Sequence, residues 1–447
     1  MGLKAGQKDH LLSTVLRTGI GYRLATGLLL AVAAWGIYAW IYQLRHGLGA
    51  TGLHDHMPWG IYIAAFVFFI GISHAGTLIS AILRLSGAEW RRPITRMAEV
   101  ITVVALMMGA LMPLADMGRP ERILNVFTMG RLESPILWDL ISISTYLTGS
   151  LIYLYVPLIP DLALLRDRLS HKVGPLRRWF YTVLALGWQD TPRQRRRLER
   201  VLGIMAVLII PIAVSVHTVV SWIFAMTVRP GWHSTIFGPY FVVGAIFSGI
   251  AGIITAMYVF RRIYKLEAFI TRDHFVKLGF LLLTLNLAYI YFTFAEYLTI
   301  AYTFNPAKHH LLELLFTGAY ALPFWTFVVF GLIVPALLIA LPWTRTIGWI
   351  AVASVLVNIG MWLKRFVIVV PSLAVPQQPY QIVVYQPTWV EWSILSGAAA
   401  GFVLLYITFA RYLPVISVWE VDEAPEAAGV ATSPAPALAA EAGVGDD

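Results

Sequence analysis

The sequence contains no cysteine, and this absence excludes several kinds of chemistry at once. Disulfides, thiolate nucleophiles, zinc–thiolate sites, cysteine-held iron–sulfur clusters and covalently attached c-type haem all require cysteine side chains. A redox metal would therefore need histidine ligands or would belong to another subunit. We expect no iron–sulfur cluster in this chain.

Charged residues are also scarce. They make up 13% of the 447 residues, whereas hydrophobic residues make up 58%, and the mean hydropathy is +0.72. The apolar residues gather in blocks of about 20 to 28, a length that spans a bilayer as a helix. The N-terminus lacks an apolar core followed by a small-residue cleavage site, so we expect no cleaved signal peptide. The composition predicts an all-α, polytopic membrane protein.

The apolar blocks predict about ten transmembrane helices in one membrane domain, residues 24–415. A short cytoplasmic lead, residues 1–23, precedes this domain. The acidic, Ala/Pro-rich segment 416–447 is predicted to be a disordered cytoplasmic tail. The predicted spans are residues 24–44, 58–83, 94–115, 135–160, 201–229, 237–260, 276–303, 316–340, 344–370 and 390–413.

The distribution of basic residues predicts the topology. Of the 33 lysine and arginine residues, 24 lie in or beside the two terminal segments and the loops on the same side of the membrane domain. Six lie in the loops on the other side. Under the positive-inside rule this places both termini in the cytoplasm, and we expect a multi-pass protein of a bacterial inner membrane. The loop 161–200, with the arginine run "RQRRRLER", contributes most to the bias. The net charge of +9 therefore reflects topology and membrane lipids, and we expect no nucleic-acid partner.

A weak internal repeat is visible at a shift of about 181 residues. Pro58 then aligns with Pro239, and Gly71 aligns with Gly252. Both stretches have the same orientation, which predicts two parallel four-helix repeats followed by two extra helices. The predicted units are residues 24–160, 201–340 and 344–413.

Ionisable residues within the predicted spans are candidates for function, because each is costly in a bilayer. They form a graded series from the outer to the inner side: Asp116, Asp139, Glu296, His217, His74 and Glu99. The series fits a proton path, for which we select the residues His74, Glu99, His217 and Glu296. It also fits a polar network that only ties helices together. Lys364 and Arg365 lie in one span, where partner carboxylates such as Glu296 are expected.

His74 lies in the apolar run "FFIGISHAGTL", and three roles are compatible with that position. The imidazole can tie two helices together, it can relay a proton or line a quinone site, or it can bind haem iron. Within spans only His74 and His217 are available as haem ligands, so a b-type cytochrome would hold at most one haem. We predict no haem in this chain.

Two segments on the predicted outer side carry further candidates. In "PLADMGRPERIL", Asp116, Arg119 and Arg122 form either a salt-bridged loop or a cap over a quinone head group. In "SPILWD", Trp138 and Asp139 open a span, and a carboxylate beside an aromatic ring is a plausible acceptor for a quinol proton.

The segment "HDHMPWG" holds two histidines and an aspartate, which bind a metal or simply lie in water. We predict no metal site.

Four segments together resemble the NrfD/polysulfide-reductase family of membrane subunits, which includes PsrC-like proteins. They are "PWGIYIAAFVFFIG", "DMGRPERI", "SPILWD" and "HTVVSWIFAMTVRPGWHSTIFGPYFVVGAIFSG". Over about residues 20–415 the chain is most similar to the NrfD-like subunits of bacterial alternative complex III, the quinol-oxidising ActC and its paralogue ActF. Subunits of the Hme/DsrP type carry a similar fourth segment.

The resemblance implies a haem-free membrane subunit that oxidises a quinol, here menaquinol, in a respiratory or photosynthetic chain. Electrons would pass to an extracytoplasmic iron–sulfur subunit and on to multihaem and monohaem cytochrome c subunits, beside a second NrfD-like subunit. Proton translocation is a further implication. By the same resemblance, Asp139 and His74 are the expected catalytic residues, and the quinone-binding residues are Trp138, Asp139, Asp116, Arg119, His74 and His217.

Alternative functions remain open at this point. The alternatives are an ActF-like structural or proton-conducting subunit, an NrfD-type subunit of another quinone oxidoreductase, and a secondary transporter. A transporter is expected to have broken helices at matching places in both repeats. Pro211 interrupts the fifth predicted span, and the first has no counterpart.

Overall fold

A computed structural model describes residues 5–16, 19–169, 171–303, 305–376 and 383–422. Within these ranges the chain forms seventeen α-helices, a few 3₁₀ turns and no β-strand. The helices are α1 (Ala5–Thr14), α2 (Ile20–His46), α3 (Ile61–Leu85), α4 (Arg92–Asp116), α5 (Asn125–Met129), α6 (Pro135–Tyr155), α7 (Ile159–Leu169), α8 (Pro175–Leu184), α9 (Pro192–Ala225), α10 (Phe237–Ile263), α11 (Arg272–Tyr302), α12 (Pro306–Phe316), α13 (Ala321–Thr326), α14 (Val334–Ala340), α15 (Ile347–Ala374), α16 (Trp389–Tyr412) and α17 (Val418–Asp422). A π-helical segment, Phe327–Ile333, joins α13 to α14.

In the described part of the chain, ten helical segments are long and apolar enough to cross a membrane. They contain α2, α3, α4, α6, α9, α10, α11, the α13–α14 unit, α15 and α16. The predicted all-α polytopic class is therefore confirmed. Lys8 of α1 and Asp422 of α17 form an ion pair of 2.6 Å, so both ends of the described chain meet at one end of the bundle. We call this the terminal end, and the other the opposite end.

Helix α3 lies at the centre of the bundle. Of its most apolar 18 residues 80% are buried, against 11% for α2, which packs mainly on α16. Around α3 pack α4, α9, α10 and α15. A polar group on α3 is therefore enclosed by protein rather than by lipid, and can persist only with polar neighbours.

Glycine permits the closest helix contacts. A Cβ atom on Gly36 of α2 would lie 2.7 Å from the Cα atom of Gly397 on α16. A Cβ atom on Gly76 of α3 would lie 2.0 Å from the carbonyl oxygen of Ala98 on α4. Small residues let helix backbones approach in this way, and backbone contact replaces side-chain interdigitation.

We expect Gly36→Val to lower the free energy of unfolding by about 1–3 kcal/mol, because the new side chain forces α2 away from α16. Gly27→Val is the matched control on the same helix, since no atom lies within 4 Å of the Cβ position there. The midpoint of thermal unfolding in detergent measures both variants. Equal midpoints for the two would contradict the close helix contact.

The segment 416–422 differs from its prediction as part of a disordered tail. It is described as packed structure, because Glu420 of α17 is buried and pairs with Arg84 of α3 and Arg91, the latter at 3.1 Å. Arg92 also donates to the Glu420 carbonyl at 2.6 Å. The remainder of the predicted tail, residues 423–447, lies outside the described residues.

The basic loop predicted at 161–200 is largely helical. It contains most of α7, all of α8 and the first turns of α9, so the arginine run lies on a helix. Thr191 caps α9, because its side chain accepts from the Gln194 backbone N–H. The Gln194 side-chain oxygen accepts in turn from the Thr191 backbone N–H. With Pro192 in the first helical position, the 34-residue helix starts well before its apolar part and continues through Pro211.

Candidate functional site

A cluster of polar side chains lies in the centre of the bundle. His74 of α3 and His217 of α9 are fully buried, and their ring centroids are 4.2 Å apart. Arg365 of α15 is 1% exposed, and its guanidinium lies 5.3 Å from the ring centroid of Phe241. Arg365 also donates to the Tyr289 hydroxyl at 3.4 Å. The structure thus brings together two residues selected from the sequence and adds a buried cation.

Both ring nitrogens of His74 face backbone carbonyl oxygens. Nδ1 lies 2.7 Å from the Ile70 oxygen, and Nε2 lies 2.6 Å from the Ala213 oxygen on α9. A neutral imidazole donates from one nitrogen only, so the second carbonyl is an acceptor for a second proton. The ring can therefore hold one proton or two in this position. This geometry argues against haem ligation by His74, because iron needs the lone pair of a ring nitrogen.

His217 and Arg365 have polar atoms without hydrogen-bond partners among the described residues. These atoms are both ring nitrogens of His217, and Nε and Nη2 of Arg365. A Cβ atom on Gly71 would lie 3.6 Å from Arg365 Nη2 and 3.8 Å from His217 Nε2, so this glycine marks the space between the two groups. Buried donors and acceptors of this kind normally bind ordered water. The cluster is therefore suited to hold water beside His74.

One face of α6 connects this cluster to both ends of the bundle. Its buried polar residues Asp139, Tyr146, Ser150 and Tyr153 recur at helical spacing. The Tyr146 ring centroid lies 4.7 Å from that of His74, and its hydroxyl donates to the Ser73 carbonyl at 3.2 Å. Seven residues separate Asp139 from Tyr146, which places Asp139 about 10 Å closer to the opposite end.

Asp139 is 7% exposed, and its Oδ1 atom has no hydrogen-bond partner among the described residues. The neighbouring Trp138 packs edge to face against Trp222 of α9, with ring centroids 6.4 Å apart. Its indole N–H donates to the Leu132 carbonyl. An aromatic pair thus lies beside a buried carboxylate oxygen that is free to accept a proton.

Asp116 lies in a different cluster, and the salt-bridged loop considered for it is absent. Among the described residues neither Arg119 nor Arg122 forms an ion pair with Asp116, and both arginines are exposed. The last turn of α4 is instead held by Gln43 of α2, whose amide donates to the Ala115 carbonyl at 2.6 Å. Tyr62 donates to the Gln43 side-chain oxygen at 2.7 Å.

A lipid-facing groove of about 240 Å³ begins beside Ala115, between α2, α4 and α16. It is lined by apolar and small residues, including Gly36, Gly397 and Gly401. The groove is apolar, so it suits a hydrocarbon chain better than a polar head group.

Near the terminal end, Glu99 of α4 is 3% exposed and accepts from Ser80 of α3 at 3.0 Å. Tyr153 of α6 faces this pair. One turn further along α3, Arg84 pairs with Glu420. The α6 face therefore runs from Asp139 near the opposite end to a carboxylate near the terminal end.

Glu296 and Lys364 form the ion pair that the sequence predicts. Lys364 Nζ lies 3.4 Å from Glu296 Oε2 and donates to the Tyr297 hydroxyl at 3.1 Å. Three aromatic rings surround the ammonium group, with centroids at 4.8 to 5.5 Å. Lys364 is fully buried, so its charge is balanced by one carboxylate and three ring faces.

We expect Glu296→Gln to lower the free energy of unfolding by about 2 kcal/mol, because it leaves the buried Lys364 charge supported only by the aromatic rings and Tyr297. The thermal unfolding midpoint measures this effect. The double variant Glu296→Gln/Lys364→Met should recover most of the loss, since it leaves no unpaired charge. A loss that the second substitution deepens would contradict the ion-pair assignment.

The other sequence candidates lie apart from these clusters. His54, Asp55 and His56 are exposed in a short loop, where His54 and Met57 form a backbone bridge. In the described ranges, no group of three or more potential ligands is placed to hold a metal ion. Trp232, which lies in the last of the four segments that carry the family resemblance, is buried and stacks on Trp59 with ring centroids 5.7 Å apart.

Sequence reasoning missed Glu391, the fully buried first-turn carboxylate of α16. It accepts from the backbone N–H groups of Gly52 at 2.7 Å and Thr388 at 2.9 Å, and from the Tyr385 hydroxyl. Tyr385 in turn accepts from the Ile61 backbone N–H at 3.1 Å. Burial and the Glu391 carboxylate raise the pKa of Tyr385, so its hydroxyl remains a donor. The capping box "TWVE" was the available signal.

Comparison with known proteins assigns the family. Residues 49–377 match the family described as polysulphide reductase, NrfD. The chain belongs to the NrfD family. This match covers α3 to α15 and therefore contains the central cluster, Asp139 and the Glu296–Lys364 pair.

Three similar proteins are named as membrane subunits of oxidoreductases. A protein of Halobacterium salinarum, named as a membrane subunit of a putative dimethyl sulfoxide reductase, is 28% identical over 90% of this chain and 93% of its own length. The Hdr-like menaquinol oxidoreductase integral membrane subunit of Archaeoglobus fulgidus is 25% identical over 89% of this chain and 95% of its own length. The menaquinone reductase integral membrane subunit of Nitratidesulfovibrio vulgaris is 25% identical over 85% of this chain and 88% of its own length.

Proposed function

We propose that this NrfD-family chain binds and oxidises a quinol, here menaquinol, as the membrane subunit of an electron-transfer complex of the alternative complex III type. Two relatives carry menaquinol or menaquinone in their names, which supports the quinone as substrate. The ActC-like role, in preference to an ActF-like one, is our proposal from the sequence resemblance and from the acids on α4 and α6.

The observation that carries the proposal is the unpartnered Asp139 oxygen beside the Trp138–Trp222 pair, on the helix face that leads to His74. A quinol hydroxyl that docks there hands its proton to Asp139 as the ring is oxidised. Each quinol releases two protons and two electrons. The two electrons would leave one at a time for iron–sulfur centres of the partner subunit, because this chain has no cysteine to hold such a centre.

We assign the proton route to the polar face of α6 and its neighbours. Protons released at Asp139 pass by Tyr146, His74 and His217, and Glu99 is the acid near the terminal end. Glu296 forms a second branch of the proton route. Its partner Lys364 lies over the ring of Tyr240, and Tyr240 packs on Tyr289. Tyr289 in turn accepts from Arg365 in the central cluster. Asp116 and Arg119 stay assigned to the rim of the quinone site.

The proposed partners follow from the same role. They are an extracytoplasmic iron–sulfur subunit, multihaem and monohaem cytochrome c subunits and a second NrfD-like subunit. In this arrangement the opposite end of the bundle faces outward, and the terminal end lies in the cytoplasm of a bacterial cell. The basic side chains around α7, α8 and α9 support that orientation.

Purification of the intact complex from native membranes tests the proposal. We expect an iron–sulfur protein, cytochrome c and bound quinone to co-purify, and added menaquinol to reduce the iron–sulfur cluster in a single turnover. A lone colourless protein without quinone would overturn the assignment.

Reduction of quinone by the same site is a second candidate, because one relative is named a menaquinone reductase. The direction of steady-state electron transfer in the purified complex separates the two.

A further inference from the structure

Helix α8 lies along the terminal end of the bundle as an amphipathic surface helix. In "PLRRWFYTVL", Leu176 and Trp179 are 78% and 62% exposed, whereas Tyr181 is fully buried. Exposed apolar side chains next to arginines are typical of a helix in the plane of the membrane interface. The head groups of one leaflet therefore lie at the level of α8.

A groove of about 660 Å³ separates α8 from the last turns of α16. Most of its exposed lining is apolar and comes from residues such as Leu176, Phe180, Phe409 and Leu413. Arg177 of α8 and Arg411 of α16 supply its cationic groups. The groove thus combines a hydrocarbon-like wall with positive charge at the depth of lipid head groups.

The two arginines converge without a carboxylate. Arg177 Nη2 donates to the Val15 carbonyl at 3.2 Å, and Arg411 Nη1 donates to the same oxygen. Arg177 also donates to the Arg411 carbonyl at 3.0 Å and to the Tyr181 hydroxyl at 2.6 Å. Neither guanidinium forms an ion pair with any acid in the part of the chain that the structure describes.

Three buried or partly buried arginines at this end are balanced by acids. Arg84 and Arg91 share Glu420, and Arg96 pairs with Asp161. Two guanidinium groups that share one neutral oxygen repel each other, and an anion between them would relieve that repulsion. A phosphate accepts several charge-assisted hydrogen bonds from arginines at once, and basic pockets between membrane helices are typical sites for anionic lipid head groups.

We propose that this groove is a specific site for an anionic phospholipid, with the phosphate between Arg177 and Arg411 and an acyl chain along Phe180 and Phe409. A free phosphate would use the arginines but leave the apolar wall exposed. A zwitterionic lipid would carry a cation into a site that already has two. The bound lipid ties α1, α8 and α16 together through groups that converge on Val15.

Lipid titration of the complete purified protein tests the site. Binding of dioleoylphosphatidylglycerol is followed by native mass spectrometry in mild detergent. We expect Arg177→Gln/Arg411→Gln to weaken binding about tenfold, because two charge-assisted contacts are lost. Arg178→Gln is the matched control, since Arg178 is exposed on α8 and does not line the groove. The single variant Arg411→Gln keeps the Arg177 contacts with Tyr181 and Val15 and should weaken binding by a smaller factor.

Two competition arms identify the ligand. We expect dioleoylphosphatidylcholine to bind less tightly than the glycerol lipid, and inorganic phosphate at equal concentration to leave lipid binding unchanged. Wild-type affinity in both Arg411→Gln and the double variant would overturn the proposal, as would equal affinity for the two lipids. Displacement of the lipid by inorganic phosphate would identify an ion site instead and would overturn it too.

Discussion

Replacing Asp139 by asparagine is expected to slow quinol oxidation by the assembled complex about 100-fold, because a positioned proton acceptor contributes at least that factor. Asparagine keeps the shape of the side chain but removes the basic oxygen that has no other partner. The rate of iron–sulfur cluster reduction by menaquinol in a single turnover measures the effect. The set of assembled subunits and the amount of bound quinone should match the wild type.

Asp116→Asn is the informative comparison, because Asp116 also has a buried oxygen without a partner but lies in the α2–α4 cluster. A residue at the rim of the site affects docking more than proton transfer, so we expect a higher KM and little change in kcat. Near-normal turnover of Asp139→Asn in a complete complex would remove Asp139 from the mechanism. A strong kcat loss in Asp116→Asn alone would move the reaction to the groove beside Ala115.

Much of the fold could be predicted from local sequence, because each membrane helix carries its own signal. Twenty apolar residues specify a span wherever they lie in the chain, so ten spans were predicted and ten are present in the described ranges. The Glu296–Lys364 pair was predicted because a buried charge in a span favours an opposite one, but Arg365, for which a carboxylate was also expected, has no acid partner among the described residues.

The site could be predicted only in part, because its contacts join distant segments. His74 and His217 were selected as separate ionisable residues, yet nothing in their spacing indicates that their rings touch. Asp116 and Arg119 are close in sequence, but they form no ion pair in the described structure: the Asp116 Oδ1 atom is buried without a partner and the arginine is exposed. Composition also misplaced residues 416–422, which look like a tail but are held by arginines of other segments.

Those C-terminal residues are also held by one buried carboxylate, Asp161 of α7. It is fully buried and pairs with Arg96 of α4, which is 1% exposed. It also accepts from the backbone N–H groups of Val418 at 3.2 Å and Trp419 at 3.1 Å. One side chain thus satisfies a buried cation and the first turn of α17.

Asp161→Asn is expected to lower the free energy of unfolding by about 3–5 kcal/mol, because it leaves the buried Arg96 guanidinium without its ion-pair partner. The loss should exceed that of Glu296→Gln, since among the described residues no aromatic ring lies over the Arg96 guanidinium as three do around the Lys364 ammonium group. The thermal unfolding midpoint measures the loss. Hydrogen exchange should show faster exchange at the Val418 and Trp419 amides before global unfolding.

The double variant Arg96→Met/Asp161→Asn separates the two consequences of losing Asp161. Removing the unpaired cation should recover most of the stability, because an apolar side chain can occupy the same buried space. The Val418 and Trp419 amides should still exchange fast, since asparagine offers them one neutral oxygen in place of two charged ones. Protected amides in the single variant would mean that α17 is held by the Glu420 pairs alone, and Asp161 would then serve only to neutralise Arg96.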